Sequence, residues 1–420
     1  MDRKIFAGAL AASVSATLLT APASGQAVAV QDRVSATEKG SVLIYSKVEL
    51  RYTATGALIQ DTFIDIANDY PQDVLVQMYF INGDPRITGP GGVIIEPGWN
   101  WVDNQIELTA NEPTYWSAAT GLPKGVSPFG VLDPGALPGR PDPAVPGERM
   151  LRGYIIAFAV NFNGCEIKWN HLKGDACIVN YADGSAWEYN AWAFQTGNSP
   201  GIVAAANGTE LEACGNLLFN GTKYARAFDM LLLDFYAVGS SALSGPATLV
   251  TVDTDLTLHP LSADLRQETT GPVRTKASFD IWNMNEVKFS GTDRCITCWD
   301  QTLLSNYGLP NHFLLVNLQT DKGRARIDDI ASGVVCPGVA GSLTNPAPTL
   351  DPLLGVAAKH LSFDGAAAAV AGGNLHGSGS QSDGVIRYDR VAPPGENAGS
   401  MWLNTISAEV SKARKGRATR

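Results

Sequence analysis

The chain is poor in charge and poor in the residues that most often carry chemistry. Charged side chains make up 17% of its 420 residues, and it holds only five histidines, six cysteines and six methionines. Acidic groups outnumber basic ones, the formal net charge is −10, and no basic cluster occurs before the last ten residues. A nucleic-acid partner is therefore not expected, because phosphate neutralisation needs clustered lysine and arginine. There is no Gly-x-Ser-x-Gly elbow, no His-Glu-x-x-His pair, no phosphate loop and no dinucleotide fingerprint, which removes the commonest signatures of hydrolases, zinc peptidases and nucleotide enzymes. No catalytic residue, metal or cofactor is assigned, and a role without catalysis is favoured. Beyond the N-terminus no apolar run reaches membrane-spanning length, and no stretch keeps a helical period.

Glycine and proline are plentiful instead, 43 and 24 of them, spread along the chain as turn punctuation. With 45% apolar content, this favours many short strands over long helices and provides for two domains, each with its own core. The N-terminus reads Asp2-Arg3-Lys4, an apolar run from Ile5 to about Leu19, then Ala21-Pro22-Ala23. A basic start, a short hydrophobic centre and an Ala-x-Ala site make residues 1–27 an export signal, with cleavage after Ala23, Ala27 or Ala29. The mature protein is expected outside the cytoplasm: secreted, periplasmic or at the cell surface.

One stretch occurs twice. Residues 49–68 align without a gap on 264–283 with seven of twenty positions identical, including Leu50-Arg51 with Leu265-Arg266, Thr55-Gly56 with Thr270-Gly271, and Asp65-Ile66 with Asp280-Ile281. Later anchors follow in order: Gly153 with Gly355, Gly184 with Gly384, Tyr189 with Tyr388. The stretch alternates apolar and polar residues around a Thr-Gly turn, as a half-buried hairpin does. Repetition of this kind predicts two tandem copies of one module, both all-β antiparallel sandwiches of immunoglobulin-like or jelly-roll-like architecture. The first spans 41–237 and carries a proline- and glycine-rich loop at 121–147. The second spans 249–391, and a basic tail follows at 392–420.

Cys165, Cys177 and Cys214 fall in the first copy, and Cys295, Cys298 and Cys336 in the second. An even number in an exported chain favours disulfides. Cys165 with Cys177, and Cys336 with either Cys295 or Cys298, are the expected pairs; a redox or zinc role for Cys295-Ile296-Thr297-Cys298 lacks its usual context. Asp253-Thr254-Asp255 offers two carboxylates that could help hold calcium, although solvated strand-edge charge explains them more simply. His171 and His376 fall close in the repeat alignment, which a shared turn accounts for.

Six of the nine tryptophans lie in the first copy. In Trp187-Glu188-Tyr189-Asn190-Ala191-Trp192-Ala193-Phe194 strict alternation puts Trp187 and Tyr189 on one face, Trp192 and Phe194 on the other. A sandwich strand has one core face, so one pair must be covered or exposed as a platform. Trp192 and Phe194, beside the 121–147 loop, are the candidate recognition surface for a glycan or protein partner. An exported structural or binding protein is the expected function, with a carbohydrate-binding or carbohydrate-active protein as the alternative.

Overall fold

The computed structural model describes residues 34–378 apart from 85–86, 89–93, 96–99, 125–126, 128–136, 143, 197–216, 218, 220–222, 229, 262–273, 331–351 and 366. The export signal, the basic tail, Cys214, Cys336 and the hairpin turn at 264–273 lie outside the described residues. Among these the chain is almost wholly β. The first half contains β1 (Val42–Thr53), β2 (Leu58–Asn68), β3 (Val74–Asn82), β4 (Ile87–Thr88), β5 (Ile94–Ile95), β6 (Asn100–Leu108), β7 (Pro113–Ser117), β8 (Arg140–Pro141), β9 (Glu148–Val160), β10 (Leu172–Asn180), β11 (Ser185–Asn190) and β12 (Trp192–Phe194). The second contains β13 (Met230–Tyr236), β14 (Val250–Pro260), β15 (Arg274–Asn283), β16 (Lys288–Thr297), β17 (Asp300–Leu303), a short helix α1 (Leu315–Leu318), β18 (Lys322–Ile330), β19 (Leu353–Phe363), β20 (Ala367–Asn374) and β21 (His376–Ser378). Every strand pairing is antiparallel.

The repeated hairpin forms in the first half as its sequence predicts. Gly56 turns with φ +89°, and β1 and β2 pair at Arg51 with Gln60 and Tyr52 with Leu58. Beyond that corner the strands part. β2 runs between β10 and β7, while β1 runs beside β9, with β3 and β6 beyond it. The ten-stranded sheet is thereby folded into two layers, and Ile64 and Ile66 of β2 meet Leu43, Tyr45, Val48 and Leu50 of β1 in one core.

β1 and β9 are buried on both faces. Ile155 and Ala157 point into that first core, while Tyr154, Ile156 and Phe158 point into a second one with Val42 and Ile44. Near-continuous burial of this kind is what doubly covered strands require. The second core is closed by Val34, Leu217, Tyr224, Phe228 and, from the far half of the chain, Leu261, Trp299 and Leu354. A single core face per strand, the premise of the sequence argument about aromatics, does not hold here.

The second half supplies a sheet of β17, β14, β19 and β20 and a sheet of β16, β15, β18, β13 and β21, packed face to face through Leu256, Leu258, Phe279, Ile281 and Phe235. The outer face of the four-stranded sheet does not meet water along its length, because Val356 and Ala358 reach into the first core and Leu354 into the second. Each fully buried apolar side chain of this size contributes about 1.5–3 kcal/mol, so the halves are joined by core and not by a linker.

Two sequence expectations change at this level. Met230–Tyr236, an apolar run within the bounds expected for the first module, 41–237, instead lies between β18 and β21 in the last sheet; burial of Leu231, Leu233 and Phe235 against Phe279 and Ile281 decides its side. The strand after the repeated hairpin also differs between the halves. β3 pairs with β9 and β6, whereas β16 folds straight back on β15, so the halves do not match strand for strand. The proline-rich loop, where described, lies over β9: β8 pairs with it, and Arg51 reaches up to Asp142 at 2.6 Å.

Candidate functional site

The densest polar chemistry lies where the halves meet. After Ile44, β12 leaves the edge of β1, and the register between β1 and β9 shifts between Tyr45 and Val48. The backbone exposed there is satisfied by side chains. Trp299 donates its indole N–H to the Ser46 carbonyl at 2.8 Å, and the Tyr189 hydroxyl accepts from Lys47 N at 3.0 Å and donates to the Lys47 carbonyl. Paired edges of this kind cannot recruit another strand.

Lys47 then crosses the seam. Its ammonium lies 2.5 Å from Asp255 Oδ2 and 3.3 Å from Glu49 Oε2. Gln301 donates Nε2 to Asp255 Oδ2 at 2.6 Å and to Glu49 Oε2 at 3.2 Å. Glu49 also holds Arg51 Nη1 at 3.0 Å, and Arg51 continues to Asp142 and Glu148. Burial pushes the Glu49 carboxyl up, but Lys47, Arg51 and Arg152 together outweigh it and hold it below the ordinary range. Lys47 is likewise raised, its burial outweighed by Asp255 and Glu49. Close by, His259 accepts or donates at Nε2 with Ser46 Oγ at 3.0 Å and stacks on Tyr154 at 4.7 Å. Burial pushes its imidazole down to about 4, so it is neutral at physiological pH.

Asp253 and Asp255, the two carboxylates considered for calcium, are engaged by separate partners. Asp255 is bonded to Lys47, and Asp253 Oδ1 accepts from the Thr254 and Ser305 amides. No group of three or more His, Cys, Asp or Glu suited to a metal occurs among the described residues.

Beside the seam, β11 runs along β20. Trp187 rests on Gly372, where a Cβ would sit 2.1 Å from the indole ring, and only glycine permits that approach. Asn374 bonds the backbone of Asn190 from both ends of its amide, Nδ2 to O at 2.7 Å and Oδ1 from N at 2.9 Å. A cleft of about 530 Å³ opens there, lined by Ser35, Thr37, Glu188, Asn190, Trp192, Phe228, Gly373 and His376 among others.

The candidate platform is not on the surface. Trp192 is 2% exposed and Phe194 fully buried. The chain switches layers at Ala191: Trp187 and Tyr189 belong to β11, paired with β10, whereas Trp192 and Phe194 belong to β12, paired with β1. Among the described residues the second pair is covered by Phe228, at 5.5 Å from Trp192, and Phe219, at 4.5 Å from Phe194. Only Trp192 reaches the cleft wall.

The expected Cys165–Cys177 bond does not form, and the expected pairing of Cys336 lies outside the described residues. Cys177 is a free thiol, because on β10 it faces Phe63 and Glu188 across its neighbours and is not turned toward Cys165. Cys298 is a buried thiol outside any disulfide. Cys165 and Cys295 are each in the disulfide state, and neither is bonded to Cys177 or Cys298. His171 bonds Asp69 at 3.0 Å, and His376 lies apart from it on β21.

The seam residues Lys47, Gln301 and His259 drew no attention in the sequence. Their signal was faint: Lys47 and Glu49 interrupt an otherwise apolar run from Val42 to Leu50.

No family model matches this chain, and no curated protein matches it. Among solved structures it is similar to the crystal structure of the CupB6 tip adhesin from Pseudomonas aeruginosa, with 10% identity and a TM-score of 0.10 over 80% of this chain and 91% of that one. A likeness at that level carries no argument about fold or function.

Proposed function

We propose that this chain is an exported, non-catalytic β-protein that acts by binding, or as a structural element, at the cell surface or in the space outside the cytoplasm. The observation that carries the reading is the seam. Lys47, Glu49 and Asp255 are only 3–7% exposed and are turned on one another, so their charges join layers and do not face a substrate, as a general acid or base must. The N-terminal signal pattern and the disulfide-bonded Cys165 and Cys295 both suit an oxidising compartment. Within the same reading the two halves are diverged tandem copies; Ile64 and Ile66, like Phe279 and Ile281, keep the inward positions of the repeated strand. The partner is a glycan or another protein.

Expression of the full chain with fractionation, N-terminal sequencing and incubation with a polysaccharide panel tests this. The expected result is a product cleaved near Ala27, recovered outside the cytoplasm, that releases no reducing ends. An uncleaved cytoplasmic product, or release of reducing ends, would overturn it.

A further inference from the structure

We propose that the cleft between β11 and β20 is a binding site for a neutral saccharide. This rests on the non-catalytic binding role above and gives it a place and a ligand class. The cleft's volume of about 530 Å³ falls within the usual range for ligand sites, about 300–1,000 Å³.

Its polar groups are the first argument. Glu188 and Asn190 stand two apart on β11 and so share a face, and His376 lines the same cleft from β21. None of these three side chains makes a hydrogen bond or ion pair among the described residues, whereas Asn374 beside them is spent on the Asn190 backbone. A carboxylate accepts, an amide does both, and an imidazole does both. A ligand rich in hydroxyls, each donor and acceptor, satisfies all three at once.

The second argument is the opposite wall. Phe228, half-buried and braced edge to face by the buried Trp192 at 5.5 Å, lines it, and the C–H face of a sugar ring packs against aromatic carbon. The Trp192 indole N–H is buried without an acceptor among the described residues. An anionic ligand is disfavoured by Glu188 and by the net charge of −10. A wholly apolar one would strand the polar groups.

Calorimetry of the purified full chain with neutral gluco-, manno- and N-acetylglucosamine oligosaccharides is the test, repeated with Phe228→Ala and with the double variant Glu188→Gln/Asn190→Ala, each checked for native circular dichroism. At least one oligosaccharide should bind, and each variant should weaken it at least tenfold. Absence of binding by the native chain overturns the inference. Binding unchanged in Phe228→Ala, or in the double variant if the first does not fold, also overturns the cleft while leaving a binding role intact; release of reducing ends instead refutes the non-catalytic reading.

Discussion

Lys47 Nζ lies 2.5 Å from Asp255 Oδ2, a bond between strands whose residues are 208 positions apart, with both side chains under 8% exposed. Removing one partner leaves the other charge buried and unpaired. Lys47→Ala or Asp255→Ala is therefore expected to lower stability by about 3–5 kcal/mol, and Lys47→Met/Asp255→Leu to recover most of that loss. Chemical denaturation of the three variants checks it; equal losses in the double and the singles would argue against the pairing.

Trp187 lies against Gly372 so closely that a methyl group there would have to displace the ring. Gly372→Ala should cost about 1–3 kcal/mol, as other overpacked sites do. Combining it with Trp187→Leu should cost less than the two changes summed, because the smaller side chain vacates the methyl's place. Thermal unfolding of the four proteins measures the coupling.

Acid should act in two stages. His259 takes up its proton near pH 6.5 when unfolded but only near 4 when folded, so the unfolded chain binds more protons between those values. Stability therefore falls as pH drops from 6.5 to 4, by about 3 kcal/mol at most. Glu49 adds a second loss: its folded pKa lies below the ordinary 4.5, so its contribution is full above that value and declines as pH falls further. Denaturation midpoints between pH 3 and 8 should show both limbs, and His259→Phe should flatten the upper one.

Cys177 is half-buried, with its thiol pushed up by burial, then by Glu188 and Asp175, whereas Cys298 is buried. Of these two, alkylation of the unreduced native protein at pH 8 should label only Cys177, and slowly, since the thiolate is the reactive form. Denaturant should add Cys298. Labelling of Cys165 or Cys295 before reduction would contradict the bonded state assigned to them.

The all-β class and the first hairpin were legible because both depend on local pattern: alternation in Val48-Glu49-Leu50-Arg51-Tyr52 and a glycine at the turn. The seam was not, because Lys47 and Asp255 acquire meaning only when two distant strands meet, and no local period records that meeting. Trp192 and Phe194 were misread for a related reason. Alternation placed them correctly opposite Trp187 and Tyr189, which face the first core, but their own face is covered by a second core that includes Leu261, Trp299 and Leu354 from the far half of the chain. The run Met230–Tyr236 announced a buried strand correctly, yet burial says nothing about which half provides the cover.

That last strand has a consequence for how the polypeptide can be divided. β13 is bordered on both sides by strands that come much later, β18 and β21, although it precedes the nearest gap between the halves. A protease that cut between 237 and 249 would separate the chain without separating the molecule: the N-terminal fragment would keep a strand woven into its neighbour's sheet, and the two pieces would co-purify as a noncovalent complex until that sheet was unravelled.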